Sequence, residues 1–497
     1  MNALPHLGTA YEKIGADVIA RYHRLAGDDV FFLMGNDEHS QNVATAANRE
    51  GLEPLAYCDS MEPKFREVWR ALDISFDDFI RTTQPRHHDA VKEILRRAEA
   101  SGDLYKGRYE GHYCVGCEAF VPEKDLVEGA CPNHRKKPEW ISEENWFFRL
   151  SKYAEPLRRH YEEHLDFVRP EAFRNELLAV ITDGLRDVSV SREGSTWGVP
   201  FPLDDRTRVY VWFDALINYL TGVGFAREDD RFAKWWPADV HVIGKDITRF
   251  HCLIWPAMLL SAGLPLPRTV NVHGFITVEG GKKLSKSLGT VVDPVVEVAE
   301  WGPDPIRYFL LREMAWGRDG DYSQTRVAER YEADLANDLG NLLNRVLNIV
   351  EKNFDGILPV PSAPPPDDPL RTSTLAAGAA YARAMEDLDP QGAILAVWEV
   401  VARANRYADE RQPWKLVKQQ DGREAAASVL WHLLEALRHV VLRLSPVMPR
   451  KMAEAWRQLG LGEIGPSRLA DVSEFAFPGG IRVARGAPLF PRRDKKE

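Results

Sequence analysis

The sequence predicts an α/β fold: a doubly wound parallel-sheet nucleotide-binding (Rossmann-like) domain, interrupted by a cysteine-bearing insertion and followed by an α-helical bundle. Three observations predict it. The apolar runs Val30-Phe31-Phe32-Leu33-Met34, Val209-Tyr210-Val211-Trp212-Phe213 and Val240-His241-Val242-Ile243 have the length and composition of buried parallel strands. Stretches of helical spacing lie between them. Past about residue 300 only helical spacing remains, with Tyr331, Leu335, Leu339, Leu342 and Val346 forming a core-facing stripe. At 497 residues the chain is too long for one core, so two to four domains are expected.

The chain opens on Pro5-His6-Leu7-Gly8, which leads into an amphipathic helix carrying Ile14, Val18, Ile19 and Tyr22. A histidine and a glycine at a helix N-terminus make a phosphate-binding corner. A doubly wound fold sets a buried strand ahead of such a helix, yet only five residues precede His6. The expectation is a chain that starts downstream of the true beginning, or an incomplete form. The run at 30–34 ends in Gly35-Asn36-Asp37-Glu38-His39. Ligands bind past strand C-termini in such sheets, so Asp37 stands where a carboxylate can hold the ammonium of an amino acid; a turn or helix-cap aspartate is the plainer alternative. Helices are expected over 41–50, 60–72 and 86–101.

Next come Tyr113-Cys114-Val115-Gly116-Cys117 and Cys131-Pro132-Asn133-His134. Two ligand pairs with two-residue spacers present three thiolates and an imidazole to one Zn²⁺, and four protein ligands leave no open position, so the site reads as structural. Cysteines that merely pack are the alternative. Five cysteines, an odd number with three clustered, suit a reducing compartment.

Arg192, ahead of Trp197-Gly198, is a surface arginine or a phosphate or ribose partner. Trp212, Leu216 and Tyr219 share a face if a helix starts after Phe213. Aromatic and aliphatic walls of that kind suit an unbranched thioether, and core packing explains them equally. After the strand at 240–243, Ile247 and His251 fall one turn apart. The strand-like Val270-Asn271-Val272-His273 then leads to Gly280-Gly281-Lys282-Lys283-Leu284-Ser285-Lys286-Ser287-Leu288-Gly289, with three lysines and two serines between glycines. Lysines neutralise phosphoryl charge, serines donate hydrogen bonds, and glycines let the segment move over a ligand; otherwise this is a solvated loop.

A proline-rich link, Pro359 to Pro369, precedes helices expected near 375–386, 391–410 and 424–444. Asn341 and Arg345 are four apart on one helix face. Trp414 follows Pro413, where an exposed indole can stack on an unpaired base, or simply pack. The end, Pro491 to Glu497, is charged and expected to be disordered.

A net charge of −10 argues against indiscriminate nucleic-acid binding, so any RNA contact must come from local patches. No run of 18 apolar residues and no leader-like start exist, which points to a cytoplasmic protein.

In order and separation, the two phosphate corners resemble the signature segments of class I aminoacyl-tRNA synthetases. His6-Leu7-Gly8 matches the first three positions of the HIGH-type segment, with Thr9 where a second histidine is usual. Lys283-Leu284-Ser285-Lys286-Ser287 matches the KMSKS-type loop. Across essentially its whole length the chain resembles the methionyl-tRNA synthetase family. The resemblance implies a methionine-tRNA ligase that forms methionyl-adenylate and charges the 3′ end of tRNA(Met). It implies His6, Lys283 and Lys286 as catalytic groups, and His6, Gly8, Thr9, Arg192, Lys283, Ser285, Lys286 and Ser287 around ATP, which comes with Mg²⁺. It implies Asp37, Trp212, Leu216, Tyr219, Ile247 and His251 around methionine. Cys114, Cys117, Cys131 and His134 would hold one structural Zn²⁺, and Asn341, Arg345 and Trp414 would read the anticodon.

The implied domains are 1–106 and 199–325 for the two halves of the catalytic fold, 107–198 for the connective zinc insertion, 326–480 for the helical anticodon-binding domain, and 481–497 for a tail. The expected partners are tRNA(Met), ATP and L-methionine, with no membrane and no DNA, and a monomer is compatible with the sequence. Two rivals stand beside this reading. One is a catalytically impaired tRNA-binding relative, given Thr9 and the missing strand. The other is a class I synthetase for another aliphatic amino acid.

Overall fold

The computed structural model describes residues 3–116, 119–121, 123–132, 135–227, 230–278, 282–283, 291–361 and 367–493. The chain divides into two compact units. One comprises Met1–Leu4, Phe31–Glu67 and Phe76–His273; the other comprises Pro5–Val30, Val68–Ser75 and Gly274–Glu497. The helix Leu7–Ala26 is thus grouped with the C-terminal half of the chain, although it lies in the first 106 residues.

The first unit contains the parallel strands. Leu33–Asn36 pairs with Asp78–Arg81, and Val240–Gly244 pairs with Thr269–His273, which in turn pairs with Val168–Arg169. The helices Gln41–Arg49, Pro54–Ala71 and Pro85–Ala100 follow the predicted spacing within a few residues. Two strand expectations need correcting. The first strand begins at Leu33, not Val30, because Phe32 N–H is taken by the Asp77 carboxylate at 2.7 Å and Phe31 packs against Trp235 with the rings tilted by 31°. The run at 209–213 is not a central strand: Asp204–Val209 is antiparallel, lying between Ser191–Glu193 and Pro200–Phe201, and a helix spans Val211–Leu216. Phe213 and Asp214 N–H both turn back to the Tyr210 carbonyl. A short buried helix and a buried strand carry the same apolar signature, so the pattern could not separate them.

The insertion is an antiparallel sheet. Leu104–Cys114 runs against Glu139–Phe148 in continuous register, flanked by Ala119–Phe120 and Val188–Ser189. Phe148, Phe201, Phe213, Trp255 and Val270 belong to one buried apolar cluster of this unit.

In the second unit, Ile276–Val278 pairs with Lys282–Lys283 and Gly320–Tyr322. Helices Pro303–Glu313, Asn341–Phe354, Pro369–Glu386, Pro390–Arg411 and Arg423–Leu444 build the rest. By length and composition Arg423–Leu444 could cross a membrane, but 89% of its apolar window is buried, as befits a core helix. The Arg307 guanidinium lies at the centre of this unit with no exposure. It donates to Asp17 Oδ2 at 2.7 Å and to the carbonyls of Leu72, Pro446 and Val447. Burial alone would raise the Asp17 pKa, yet the Arg307 and Arg21 charges hold it below the usual carboxylate range.

The tail expectation is also corrected as far as Arg493. Leu489 and Phe490 are buried, Tyr331 Oη donates to Pro491 O at 2.9 Å, and Arg493 donates to Glu300 while lying over the Trp301 ring. Leu489 and Phe490, just ahead of the charged end and inside the stretch 481–497 expected as a tail, hold that stretch to the unit by burying their side chains. Residues 494–497 lie outside the described residues.

Candidate active site

His6 caps the helix Leu7–Ala26. Its Nδ1 accepts the N–H groups of Gly8 at 3.1 Å and Thr9 at 3.3 Å, satisfying two of the donors a helix start leaves open. Those two bonds use the Nδ1 lone pair, so the ring proton sits on Nε2, which is a donor. One residue on, Leu7 N–H donates to Val292 O at 3.1 Å. The helix start is thereby joined to the segment just after the lysine-rich loop, within the second unit. Lys283 lies on a two-residue strand opposite Thr277. Ser285, Lys286 and Ser287 fall outside the described residues.

Asp37 lies just past the strand Leu33–Asn36 and is half-buried. Its Oδ1 accepts the His39 N–H at 3.2 Å. Burial and the negative Asp214 push its pKa up to about 6, against the opposing influence of His39.

Four of the other five residues expected around methionine are brought together in the first unit. Tyr219 Oη and His251 Nε2 are 2.7 Å apart, and His251 Nδ1 is 3.1 Å from the Ile247 carbonyl. A carbonyl only accepts, so Nδ1 carries the proton and Nε2 accepts from the tyrosine. His251 sits in a π-helical turn, Phe250–Ile254, a widening that recurs at functional sites. Its neighbour Phe250 stacks on Trp212, with centroids 4.0 Å apart and planes 12° apart. Trp212, Tyr219 and Ile247 are half-buried and keep accessible surface. Leu216 differs: it is 1% exposed and packs into the apolar cluster.

Arg192 is half-buried, its guanidinium 4.0 Å from the Tyr210 ring centroid and bonded to Ser189 Oγ and Ser191 O at 2.8 Å each. Of the expected metal ligands, Cys114 and Cys131 are buried, one ending the long strand and the other opening a tight turn closed by Arg135 N–H to Cys131 O at 2.7 Å. Cys117 and His134 lie outside the described residues, and among the described residues no cluster of three or more His, Cys, Asp or Glu suits a metal ion. In the second unit, the Arg345 guanidinium lies 5.2 Å from the centroid of the Trp414 ring and pairs with Asp409 at 2.9 Å, while Asn341 is exposed.

Sequence reasoning missed the groups behind Asp37. Asp214 is fully buried between His39 Nδ1 at 2.6 Å and His87 Nε2 at 2.7 Å. The available signal was an aspartate inside the apolar run at 209–217.

The family model described as tRNA synthetases class I (M) matches residues 1–139 and 134–347. Fold and site thus define a class I tRNA synthetase. The methionine--tRNA ligase of Thermotoga maritima is 44% identical over 502 residues, spanning all of this chain and 79% of that protein. That of Streptomyces coelicolor is 42% identical over 514 residues, spanning all of this chain and 95% of that one. The crystal structure of Mycobacterium tuberculosis methionyl-tRNA synthetase bound by methionyl-adenylate superposes with a TM-score of 0.94 at 40% identity, covering 99% of this chain and 98% of that one. Its apo form gives a TM-score of 0.88 at 38% identity, covering 99% and 96%. The chain belongs to the methionyl-tRNA synthetase family.

Proposed function

We propose that this chain activates methionine with ATP and transfers the methionyl group to tRNA(Met). The single observation that carries the reading is 44% identity to a methionine--tRNA ligase over the full length of the chain. That relationship favours neither an impaired relative nor a synthetase for another aliphatic amino acid.

In the first step a methionine carboxylate oxygen attacks the α-phosphorus of ATP, the bond to the bridging oxygen breaks, and pyrophosphate leaves. In the second, a hydroxyl of the terminal adenosine attacks the methionyl carbonyl and AMP leaves. No covalent enzyme intermediate is required, so the protein's share is positioning and charge stabilisation. His6, with its proton on Nε2, donates to the phosphate region, as Gly8 and Thr9 line the same helix start. Lys283 and Lys286 neutralise the pyrophosphate side with Ser285 and Ser287, Mg²⁺ accompanies ATP, and Arg192 meets the nucleotide. Asp37 holds the methionine ammonium. The thioether lies against Trp212, Tyr219, Ile247 and His251, with Leu216 supporting that wall from the core. Sulfur–ring contacts suit a thioether better than a branched alkyl group.

Asn341, Arg345 and Trp414 contact the anticodon, supported by the Arg345–Trp414 contact. Cys114, Cys117, Cys131 and His134 would hold one Zn²⁺, which would brace the insertion; the burial of Cys114 and Cys131 fits a thiolate site. The protein acts in the cytoplasm as a monomer, apart from membranes and DNA. The test is ATP–pyrophosphate exchange with methionine, leucine, isoleucine and valine in turn, beside zinc quantification. Exchange driven by methionine is expected. Exchange driven only by another amino acid, or by none, overturns the reading.

A further inference from the structure

Behind Asp37 lies a buried ionic unit that none of the roles above uses. Asp214, on the helix Val211–Leu216, is bonded through Oδ2 to His39 Nδ1 at 2.6 Å and through Oδ1 to His87 Nε2 at 2.7 Å. Asp214 and His87 have no exposure and His39 has 6%. The other ring nitrogen of His87 is 3.0 Å from Thr221 Oγ1, and Thr221 donates its own proton to the Ile217 carbonyl. A carboxylate offers only lone pairs, so His87 Nε2 donates to Asp214. His39 is linked to Asp37 by more than sequence, since its backbone N–H donates to Asp37 Oδ1 at 3.2 Å.

The turn holding these groups is clamped from all sides. Glu38 N–H donates to Thr82 Oγ1 at 2.9 Å, Trp197 Nε1 donates to Glu38 O at 2.7 Å, and Arg81 pairs with the Glu38 carboxylate at 2.8 Å. The His39 ring meets Trp197 edge-on at 5.3 Å and His88 at 5.4 Å. Among the described residues, the charged and titratable groups facing His39 and Asp37 are Glu38 with Arg81, Asp214, His87, and His88 with Lys92 on its helix.

We propose that the His39–Asp214–His87 unit is a positioning device that keeps Asp37 ionised and aimed at the methionine ammonium. Asp214 anchors both histidines, and the proton on His39 offsets the Asp214 charge that would otherwise favour a neutral Asp37. The inference rests on Asp37 being the ammonium site.

The test is the pH profile of kcat/KM for methionine in pyrophosphate exchange, between pH 5.5 and 8.5. In the wild type kcat/KM is expected to fall about tenfold per pH unit below about pH 6, where Asp37 gains its proton. His39→Asn keeps a donor toward Asp214 but removes the titratable charge, leaving Asp37 against an unbalanced anion. Its acid limb is expected to move up by about one pH unit or more, with loss of roughly tenfold at pH 7 that closes to within about twofold at pH 8.5. His39→Gln, which also keeps a donor toward Asp214 while removing the charge, is expected to give the same direction and serves if His39→Asn fails to fold. A loss equal at every pH, or no loss, overturns the proposal, because a merely structural role lowers the profile without shifting it. Asp37→Asn separates the two layers. If it leaves kcat/KM unchanged, the ammonium site fails and the inference with it; if it abolishes activity while both histidine variants run parallel to wild type, the inference alone fails.

Discussion

Leu7 N–H donates to the carbonyl of Val292 at 3.1 Å, so the start of the His6 helix and the exit of the lysine-rich loop are one hydrogen bond apart. Two segments far apart in sequence thus share one locality in the second unit. Lys286→Ala, in that loop, is expected to slow methionine-dependent pyrophosphate exchange by about a hundredfold, the usual loss for one charged donor at a developing anion. Methionine binding should change by less than about threefold. Equal exchange rates in variant and wild type would remove Lys286 from the mechanism.

The position of that helix depends on a close approach. A Cβ at Gly15 would come 2.3 Å from Trp316 Cη2, inside the ring's van der Waals surface. Gly15→Ala is expected to destabilise the protein by about 1–3 kcal/mol, the range for overpacking. Thermal or urea unfolding measures it, and an unshifted midpoint contradicts the packing described.

Tyr219→Phe removes the hydroxyl that donates to the buried His251 ring at Nε2. The cost is about 1–3 kcal/mol, and on the proposed placement of these side chains around methionine it falls on substrate binding. The KM for methionine should rise about tenfold and kcat less. A lowered kcat with KM intact would place Tyr219 outside the amino-acid site.

Arg345→Gln breaks the cation–π contact with Trp414 as well as the Asp409 pair. Aminoacylation should show a KM for tRNA raised about tenfold, with the tRNA-independent exchange step within about twofold of wild type. Should both steps fall together, the pair serves the fold and does not read the tRNA.

His241 is buried against the Tyr219 ring, with Trp255 Nε1 donating to its Nε2. Burial, reinforced by His251, pushes its pKa down to about 3. The folded form therefore keeps it neutral while the unfolded chain protonates it near the ordinary value of about 6.5. Stability is complete above about pH 6.5 and declines as pH falls, by about 1.4 kcal/mol per unit for this one group. Urea denaturation at pH 7.5 and 5.0 should show a smaller pH dependence in His241→Gln. An identical dependence assigns the effect elsewhere.

Much of this was legible because it rests on local rules. The cap at His6, the helices of the C-terminal half and the strands at 240 and 269 follow from spacing and end chemistry. The stretch at 209–217 was misread because a buried helix of six residues is too short to show its period. The Asp214 unit was invisible for a different reason: its partners are 175 and 127 residues away, and no local pattern encodes such a meeting. Packing of Phe490 likewise depends on a distant surface waiting for it.

The Arg307–Asp17 bond closes a loop of 290 residues. During synthesis, then, the helix that begins at Leu7 emerges long before the residues that complete its surroundings, and its apolar face must wait without native partners. An early-made segment with so late a partner ties completion of this unit to translation of its second half.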